Sequence, residues 1–191
     1  MSTWAESELV PYQPEAIMTR TELAQEIKAA AYLEGDFVLS SGKRSKYYLD
    51  KWRFETDPRL LGEIARAMAG RLPSPPPDRI AGVELGGVPL AVALSLETGI
   101  PYVIVRRQAK EYGTARQIEG VMHAGETVVL VEDVLTTARQ AITAAERLTE
   151  EGMHVAGIIY VIDREEGADS NIKQAGFEPG ALFRRSELGI G

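Results

Sequence analysis

The stretch Val128-Val-Leu-Val-Glu-Asp-Val-Leu-Thr-Thr-Ala-Arg-Gln-Ala-Ile142 decides the fold, because an apolar run leads into two acids, two threonines and a helix-like segment. Such an order is typical of a buried strand in a parallel α/β sheet. Ligands gather where these strands end, because the next helix offers free N–H groups to phosphate. We therefore expect Glu132 and Asp133 to hold sugar hydroxyls or a metal ion beside a phosphate cradle. The alternative is a buried strand that ends in two solvated acids before an ordinary N-capped helix.

Composition narrows the classes of function. The 191 residues suit one domain with a substantial core, and the net charge of −7 argues against a general nucleic-acid or anionic-membrane surface. The absence of cysteine excludes disulfides, thiol catalysis and Cys-based zinc sites. No apolar run approaches the roughly 20 residues that span a bilayer, and the first residues do not resemble a signal peptide. We expect a cytoplasmic protein that binds neither nucleic acid nor membrane.

The chain divides into a short arm and one domain. Residues 1–18 mix Ser, Glu and Pro without periodicity, which predicts an irregular N-terminal arm, and residues 19–191 are expected to form a single domain. Thr19 and Glu22 have the spacing of a capping box at the start of an amphipathic helix, which Gly35 is predicted to end.

The remaining pattern predicts a hairpin and then an α/β sheet. Two short strands at residues 37–42 and 45–50 should form a flap outside the main sheet, and Pro58 opens a helix that ends at Ala69. Strands are then predicted at residues 80–84, 102–106, 127–132 and 155–163, with helices at 90–97 and 140–151. This alternation indicates βαβ units and a mostly parallel sheet flanked by helices. The long stretch 107–126 breaks the rhythm, which is typical of a functional loop.

Two further segments offer groups suited to a diphosphate. Gly86 and Gly87 follow a strand and precede a helix, so the backbone there could approach a diphosphate closely; a tight turn without a ligand is the alternative. Arg106, Arg107 and Lys110 place three cations at the edge of the long loop, and the alternative is a solvated charged loop.

The last clear strand ends in Asp163-Arg164, which should put Arg164 on the same sheet edge as the acidic pair. A guanidinium in that position could hold a planar carboxylate in bidentate fashion, unless it forms a surface ion pair with Glu165 or Glu166. Tyr47 and Tyr48 in the hairpin could stack on a flat base, although aromatic pairs in hairpins more often serve packing.

The central stretch resembles the phosphoribosyl pyrophosphate signature of the type I phosphoribosyltransferases. Ala138 and Arg139 stand where that family usually has glycine and a small residue. A loop that wraps a phosphate often needs positive φ, which costs a non-glycine residue about 1 kcal/mol. Arg139 could offset this by a charge-assisted contact to the phosphate.

Over most of residues 20–170 the chain is similar to the orotate phosphoribosyltransferases within that family. Ser41-Gly-Lys-Arg-Ser45 with Tyr47-Tyr48 resembles the family's flap, and residues 84–90 resemble its diphosphate loop. Arg106-Arg107-Gln-Ala-Lys110-Glu-Tyr-Gly113 resembles its mobile catalytic loop and is the most discriminating element. The resemblance implies an enzyme of UMP biosynthesis that joins orotate to the ribose of phosphoribosyl pyrophosphate, giving orotidine 5′-monophosphate and pyrophosphate.

The resemblance also implies the roles of individual residues. Lys110, Glu132 and Asp133 are the implied catalytic residues, and Thr136 and Arg164 would bind orotate. The residues implied to bind phosphoribosyl pyrophosphate are Arg106, Arg107, Lys110, Tyr112, Glu132, Asp133, Val134, Leu135, Thr136, Thr137, Ala138, Arg139 and Gln140. Mg²⁺ is the implied cofactor, held mainly by the substrate with Asp133 as a candidate protein ligand. The implied assembly is a homodimer with shared active sites.

Two alternatives remain open at this stage. A phosphoribosyltransferase for a different base would keep the acidic motif but differ in the flap and at Arg164. A non-catalytic, nucleotide-sensing relative would explain the altered phosphate loop at Ala138 and would bind ligand without turnover.

Overall fold

The computed structural model describes residues 17–38, 42, 44–108 and 117–190. The first part of the fold, from Arg20 to Ala69, consists of three helices and a β-hairpin. Thr19 caps helix α1 with both hydrogen bonds of the predicted capping box, and Asp57 caps α3 by accepting from two backbone N–H groups. The elements of this part are α1 (Arg20–Ala31), β1 (Tyr32–Val38), β2 (Arg44–Leu49), α2 (Trp52–Glu55) and α3 (Pro58–Ala69).

The second part alternates strands and helices, as the sequence pattern predicts. Its elements are β3 (Arg79–Val83), α4 (Gly87–Thr98), β4 (Tyr102–Val105), β5 (Ile118–Glu119), β6 (Thr127–Leu135), α5 (Arg139–Glu150), β7 (His154–Asp163), α6 (Ala168–Gln174) and β8 (Pro179–Arg184). Within the described ranges these strands form one sheet in the order β5-β4-β3-β6-β7-β8, in which β5 alone runs antiparallel. Strands β1 and β2 pair antiparallel in a separate sheet, which confirms the predicted flap hairpin.

The central strand β6 is buried on both faces, which explains its continuous apolar sequence. Val129 and Val131 belong to the cluster that α1, α3 and α4 cover. Val128 and Leu130 belong to the cluster that α5 and α6 cover on the opposite face. Because β6 lies between β3 and β7, the loops that follow these three parallel strands meet at one edge of the sheet.

The structure corrects three expectations. Gly35 does not end α1, since the helix ends at Ala31 and Gly35 lies inside β1. Strand β6 continues to Leu135, beyond the predicted end at Glu132, so both acids lie within the strand and are buried. Helix α6 and strand β8 were not predicted, because neither segment has a strong period. In the described part of the chain no helix is long and apolar enough to cross a bilayer.

Candidate active site

The loop between β6 and α5 forms an open cradle. Ala138 adopts a left-handed conformation with φ 59° and ψ 12°, a geometry that costs an L-residue about 1–2 kcal/mol. It occupies the N-cap of α5, where no side chain accepts from the first turn. The first-turn N–H groups are therefore available to an anion. The positive φ expected for this loop is present, although alanine carries it.

Neighbouring elements hold the cradle in place. Asn171 of α6 donates from Nδ2 to the Thr137 carbonyl over 3.0 Å. The Arg164 N–H, directly after β7, donates to the Leu135 carbonyl over 2.9 Å. The unpredicted helix α6 thus supports the loop from the side, and the end of β7 supports it from below.

Two buried acids lie immediately before the cradle. The Glu132 and Asp133 residues are only 6% and 4% exposed. Burial, and secondarily the charge of Asp133, raises the pKa of Glu132 to about 8, so its carboxyl retains a proton near neutral pH. Asp133 accepts a hydrogen bond from the Val134 N–H and forms an ion pair with Lys51.

Lys51 and Glu55 belong to this cluster although the sequence pattern did not indicate them. Glu55 is 2% exposed, and neither of its carboxyl oxygens has a hydrogen-bonding partner among the described residues. Burial and the adjacent Asp133 charge raise the pKa of Glu55 to about 8, and a protonated Glu55 could donate to Asp133. Burial alone would lower the pKa of Lys51, but Asp133 and the other nearby acids raise it. The only available signal was the position of Lys51 two residues after strand β2.

The predicted diphosphate turn faces the acidic pair. Helix α4 begins at Gly87, and its N-cap residue Gly86 provides no capping side chain. A Cβ atom at Gly86 would lie 1.6 Å from Asp133 Oδ2, so this position has no room for a side chain. Arg107 is fastened to the same turn, because its Nε donates to the Glu84 carbonyl over 2.8 Å.

A cavity of about 320 Å³ joins these parts. Its lining contains most of the residues predicted to bind phosphoribosyl pyrophosphate, together with Lys51. The lining residues are Lys51, Arg107, Glu132, Asp133, Val134, Leu135, Thr136, Thr137, Ala138, Arg139 and Gln140. The structure thus brings the acids, the cradle and Arg107 together around one space.

Not every predicted residue lines this cavity. Arg106 lines a neighbouring cleft of about 180 Å³, and its Nη1 lies 3.6 Å from Glu119 of β5. Its Nε is buried without a hydrogen-bonding partner among the described residues. Lys110 and Tyr112 lie outside the described residues.

Arg164 lies on the expected sheet edge, since Leu135 pairs with Asp163 in the register of β6 and β7. Its side chain is 13% exposed, and its Nη2 is 3.2 Å from Glu166. The ion pair considered as the alternative is therefore present. The guanidinium Nε, however, is buried without a hydrogen-bonding partner in the described ranges, which leaves a donor for a ligand.

The two flap tyrosines serve packing. Tyr47 stacks on Tyr32 with ring centroids 5.8 Å apart, and Tyr48 packs against Phe37 at 5.6 Å. Arg185, which the sequence did not indicate, directs Nη1 toward the Tyr47 hydroxyl at 3.5 Å. Tyr47 therefore joins the flap to the ends of β7 and β8.

The described residues around the cavity offer few ligands to a metal. Within the described ranges, no three or more His, Asp or Glu side chains are grouped to hold a metal ion. Both acids line the cavity, but Asp133 already carries an ion pair and Glu132 favours its protonated form. Mg²⁺ takes about six oxygen ligands, so this donor set fits an ion that brings most of its oxygens with a substrate.

Comparison with known proteins agrees with this geometry. A phosphoribosyl transferase domain matches residues 53–176. The orotate phosphoribosyltransferase of Halobacterium salinarum is 47% identical over 168 residues, which cover 87% of this chain and 95% of that protein. The chain belongs to the orotate phosphoribosyltransferase family. The family member from Thermococcus kodakarensis is 50% identical over 161 residues, covering 83% of this chain and 86% of its own.

Solved structures of the family have the same architecture. The Mycobacterium tuberculosis orotate phosphoribosyltransferase in complex with phosphoribosyl pyrophosphate superposes with a TM-score of 0.76 at 30% identity, covering 89% of this chain and 98% of its own. The family assignment makes the chain a phosphoribosyl-transferring enzyme of pyrimidine biosynthesis. It also confirms the predicted type I phosphoribosyltransferase fold with its mostly parallel sheet and hairpin flap.

Proposed function

We propose that the cavity below the cradle is where the chain transfers the phosphoribosyl group to orotate, forming orotidine 5′-monophosphate and pyrophosphate. The observation that carries this proposal is the shared cavity of Asp133, Arg107 and the uncapped start of α5. A sugar phosphate with a second anionic group needs such a combination of acids, amides and a cation.

The ribose 5-phosphate portion suits the cradle. Its phosphate would accept from the N–H groups of the first turn of α5 and from the hydroxyls of Thr136 and Thr137. Glu132 and Asp133, which precede the cradle in strand β6, would accept hydrogen bonds from the ribose hydroxyls. Arg139, exposed at the start of α5, would add a charge-assisted contact to the phosphate. Unchanged ribose 5-phosphate affinity in an Arg139→Gly protein would exclude that contact.

Orotate would lie between the cradle and the flap. Its planar carboxylate suits the Arg164 guanidinium, whose Nε has no hydrogen-bonding partner among the residues that the structure describes. Thr136 would donate to the same base from the cradle side. The apolar and aromatic packing of the flap would exclude water from the reacting C1 atom, where hydrolysis competes with transfer.

The pyrophosphate end is assigned to the cations that precede and enter the long loop. Arg107 is already held against the diphosphate turn, and Arg106 lies in the adjoining cleft. Lys110 would neutralise the charge that develops on departing pyrophosphate, a role expressed mainly in the transition state. Tyr112 completes the proposed contacts to this group.

Mg²⁺ completes the proposal as cofactor. It would be held mainly by oxygens of the substrate, with Asp133 as the candidate protein ligand. When bound, it withdraws negative charge from the leaving diphosphate.

The proposed assembly is a homodimer in which the loop around Lys110 serves the neighbour's active site. Mixing Lys110→Ala and Asp133→Asn proteins tests this. Hybrid dimers with shared sites contain one intact site, so activity should return to roughly a quarter of the wild-type value. Self-contained sites would leave the mixture inactive.

We also propose that the enzyme acts in the cytoplasm.

The decisive experiment follows the loss of orotate absorbance in the presence of phosphoribosyl pyrophosphate, with and without Mg²⁺. We expect turnover that depends on the metal. Phosphoribosyl pyrophosphate binding without turnover would instead indicate a non-catalytic relative. Turnover of another base that orotate does not inhibit would indicate a different phosphoribosyltransferase.

A further inference from the structure

Lys51 occupies a fixed place at the foot of the flap. The Asp50 N–H donates to the Ala31 carbonyl over 2.8 Å, and Phe54 of the following helix α2 is fully buried. The backbone around Lys51 is therefore anchored to α1 on one side and to the core on the other. Its side chain is 25% exposed and lines the cavity. There it contacts Asp133, which is 82 residues away in the sequence.

The ammonium group of Lys51 stands between the acidic pair and the diphosphate turn. It forms an ion pair with Asp133, and a Cβ atom built on Gly86 would lie 2.7 Å from its Nζ. The ammonium group therefore lies directly beside the backbone of the diphosphate turn. Lys51 is thus a second cation beside the turn, in addition to Arg107.

Lys51 lines the cavity and has N–H donors beyond the one that it gives to Asp133. An ammonium group has three N–H donors, and among the described residues Lys51 gives a side-chain hydrogen bond to Asp133 alone. Lys51 and Asp133 both line the cavity, so the ion pair lies at the edge of the space that a ligand would fill. The remaining donors can meet an anion without breaking the pair with Asp133.

We infer that Lys51 is a substrate-binding residue that bridges Asp133 and the diphosphate group of phosphoribosyl pyrophosphate. This inference rests on the proposed function and adds a residue to it. In the free protein Lys51 orders Asp133. With substrate bound, the same ammonium joins the ribose acid to the leaving diphosphate, so one contact aligns both ends of the bond that breaks.

The test compares Lys51→Gln with Lys51→Arg and the wild type. Glutamine keeps an N–H donor for Asp133 but has no charge, and arginine keeps the charge. Lys46→Gln is the matched control, since Lys46 also pairs with an aspartate, Asp36, but its side chain is 87% exposed in the hairpin. Calorimetry would measure the affinities for magnesium pyrophosphate and for ribose 5-phosphate.

We expect Lys51→Gln to weaken pyrophosphate binding by about tenfold or more, with ribose 5-phosphate binding changed by less than about twofold. Lys51→Arg should recover most of the lost affinity, and Lys46→Gln should match the wild type. Equal losses for both ligands would mean that Lys51 only positions Asp133, and that result would overturn the direct contact. Unchanged pyrophosphate affinity would overturn it as well.

Two further measurements keep the outcome clear. If Lys51→Gln does not fold, the Lys51 ammonium resonance of the wild-type protein, identified by its absence in Lys51→Arg, should shift when magnesium pyrophosphate is added; no shift would overturn the inference. Wild-type turnover of orotate is measured in parallel. If the wild type turns over orotate and Lys51→Gln binds pyrophosphate as well as the wild type does, only this inference is rejected. If the wild type neither turns over orotate nor binds pyrophosphate, the proposed function is rejected too.

Discussion

Arg164 lies with its guanidinium carbon 5.4 Å from the centre of the Tyr47 ring, and its Nη2 is 3.3 Å from the Tyr47 hydroxyl. This pair joins the end of β7 to the flap hairpin across 117 residues of sequence. The orotate contact proposed for Arg164 therefore depends on two segments that are far apart in the chain. A planar guanidinium packed on an aromatic ring is held in one orientation, which favours bidentate recognition of a carboxylate.

Replacing Arg164 by lysine should separate charge from geometry. We expect the KM for orotate to rise about tenfold or more, while the KM for phosphoribosyl pyrophosphate changes by less than about twofold. Steady-state kinetics with each substrate varied in turn measures both values. Arg59→Lys, on α3 and paired with Glu26, is the control and should behave as the wild type. A rise confined to the KM for phosphoribosyl pyrophosphate would show that Arg164 contacts that substrate and not orotate.

Lys110→Ala should lower kcat far more than it raises KM, by roughly 10²–10³-fold in kcat, as for charge stabilisation made mainly in the transition state. Steady-state kinetics under saturating substrates would reveal the split, with Lys46→Ala as the matched lysine control. A loss confined to KM would contradict the role proposed for Lys110.

Ala138 should tolerate glycine better than valine. The left-handed φ of 59° costs alanine about 1–2 kcal/mol, which glycine relieves. Two effects of glycine act in the opposite direction. Loss of the buried methyl group destabilises the folded protein by about 0.8 kcal/mol. The greater freedom of the unfolded chain lowers the stability by a further amount of about 0.4–1 kcal/mol. Ala138→Gly should therefore change the free energy of unfolding by less than about 1 kcal/mol, whereas Ala138→Val should lower it by about 1–3 kcal/mol. Urea unfolding measures the stability of both variants. Equal stabilities of Ala138→Gly and Ala138→Val would argue against a strained backbone at Ala138.

Two glycines should respond to alanine in opposite directions. A Cβ at Gly87 would lie 2.5 Å from the Val131 carbonyl oxygen, so Gly87→Ala should destabilise the protein by about 1–3 kcal/mol. A Cβ at Gly62, inside helix α3, has nothing within 4 Å. Gly62→Ala should therefore stabilise by about 0.5–1 kcal/mol, the usual cost of glycine in a helix. Urea unfolding of both variants checks the signs, and a neutral Gly87→Ala would show that α4 can move away from β6.

The ion pair between Arg79 and Glu126 should make stability depend on pH. Arg79 donates to both Glu126 oxygens, over 2.9 and 2.8 Å. These hydrogen bonds outweigh the opposing effect of burial and lower the pKa of Glu126 from 4.5 to about 2. A lowered pKa means that the contribution is complete above pH 4.5 and disappears as the pH falls toward 2.

Glu126→Gln should therefore be less stable than the wild type near neutral pH, by an amount that stays constant down to about pH 5 and then shrinks. Urea midpoints for both proteins across this range provide the measurement. Glu146→Gln on the exposed side of α5 serves as the control. A stability difference that grows on acidification would be incompatible with the lowered pKa.

Local signals explain the parts of the fold that the sequence predicted well. Helix α3 has the predicted bounds Pro58 and Ala69, because Asp57 caps it and proline starts it without reference to the rest of the chain. The succession of strand, loop and helix after Thr127 was predicted for a similar reason, since an apolar run and a change of period are visible within one segment, although the strand extends three residues beyond its predicted end. Segments without a strong period, α6 and β8, were not.

The sequence by itself determined the α/β alternation, the loop at residues 136–140 and the position of the two acids before it, because each follows from residues that are neighbours in the chain. Only the tertiary structure decided that Lys51 pairs with Asp133, that Glu55 is buried beside them, and that Arg164 packs on Tyr47. These relationships arise when the flap and the sheet close around the cavity. Burial and charge then act between groups that no local pattern connects, which is why the pKa of Glu132 could not be predicted from the motif that contains it.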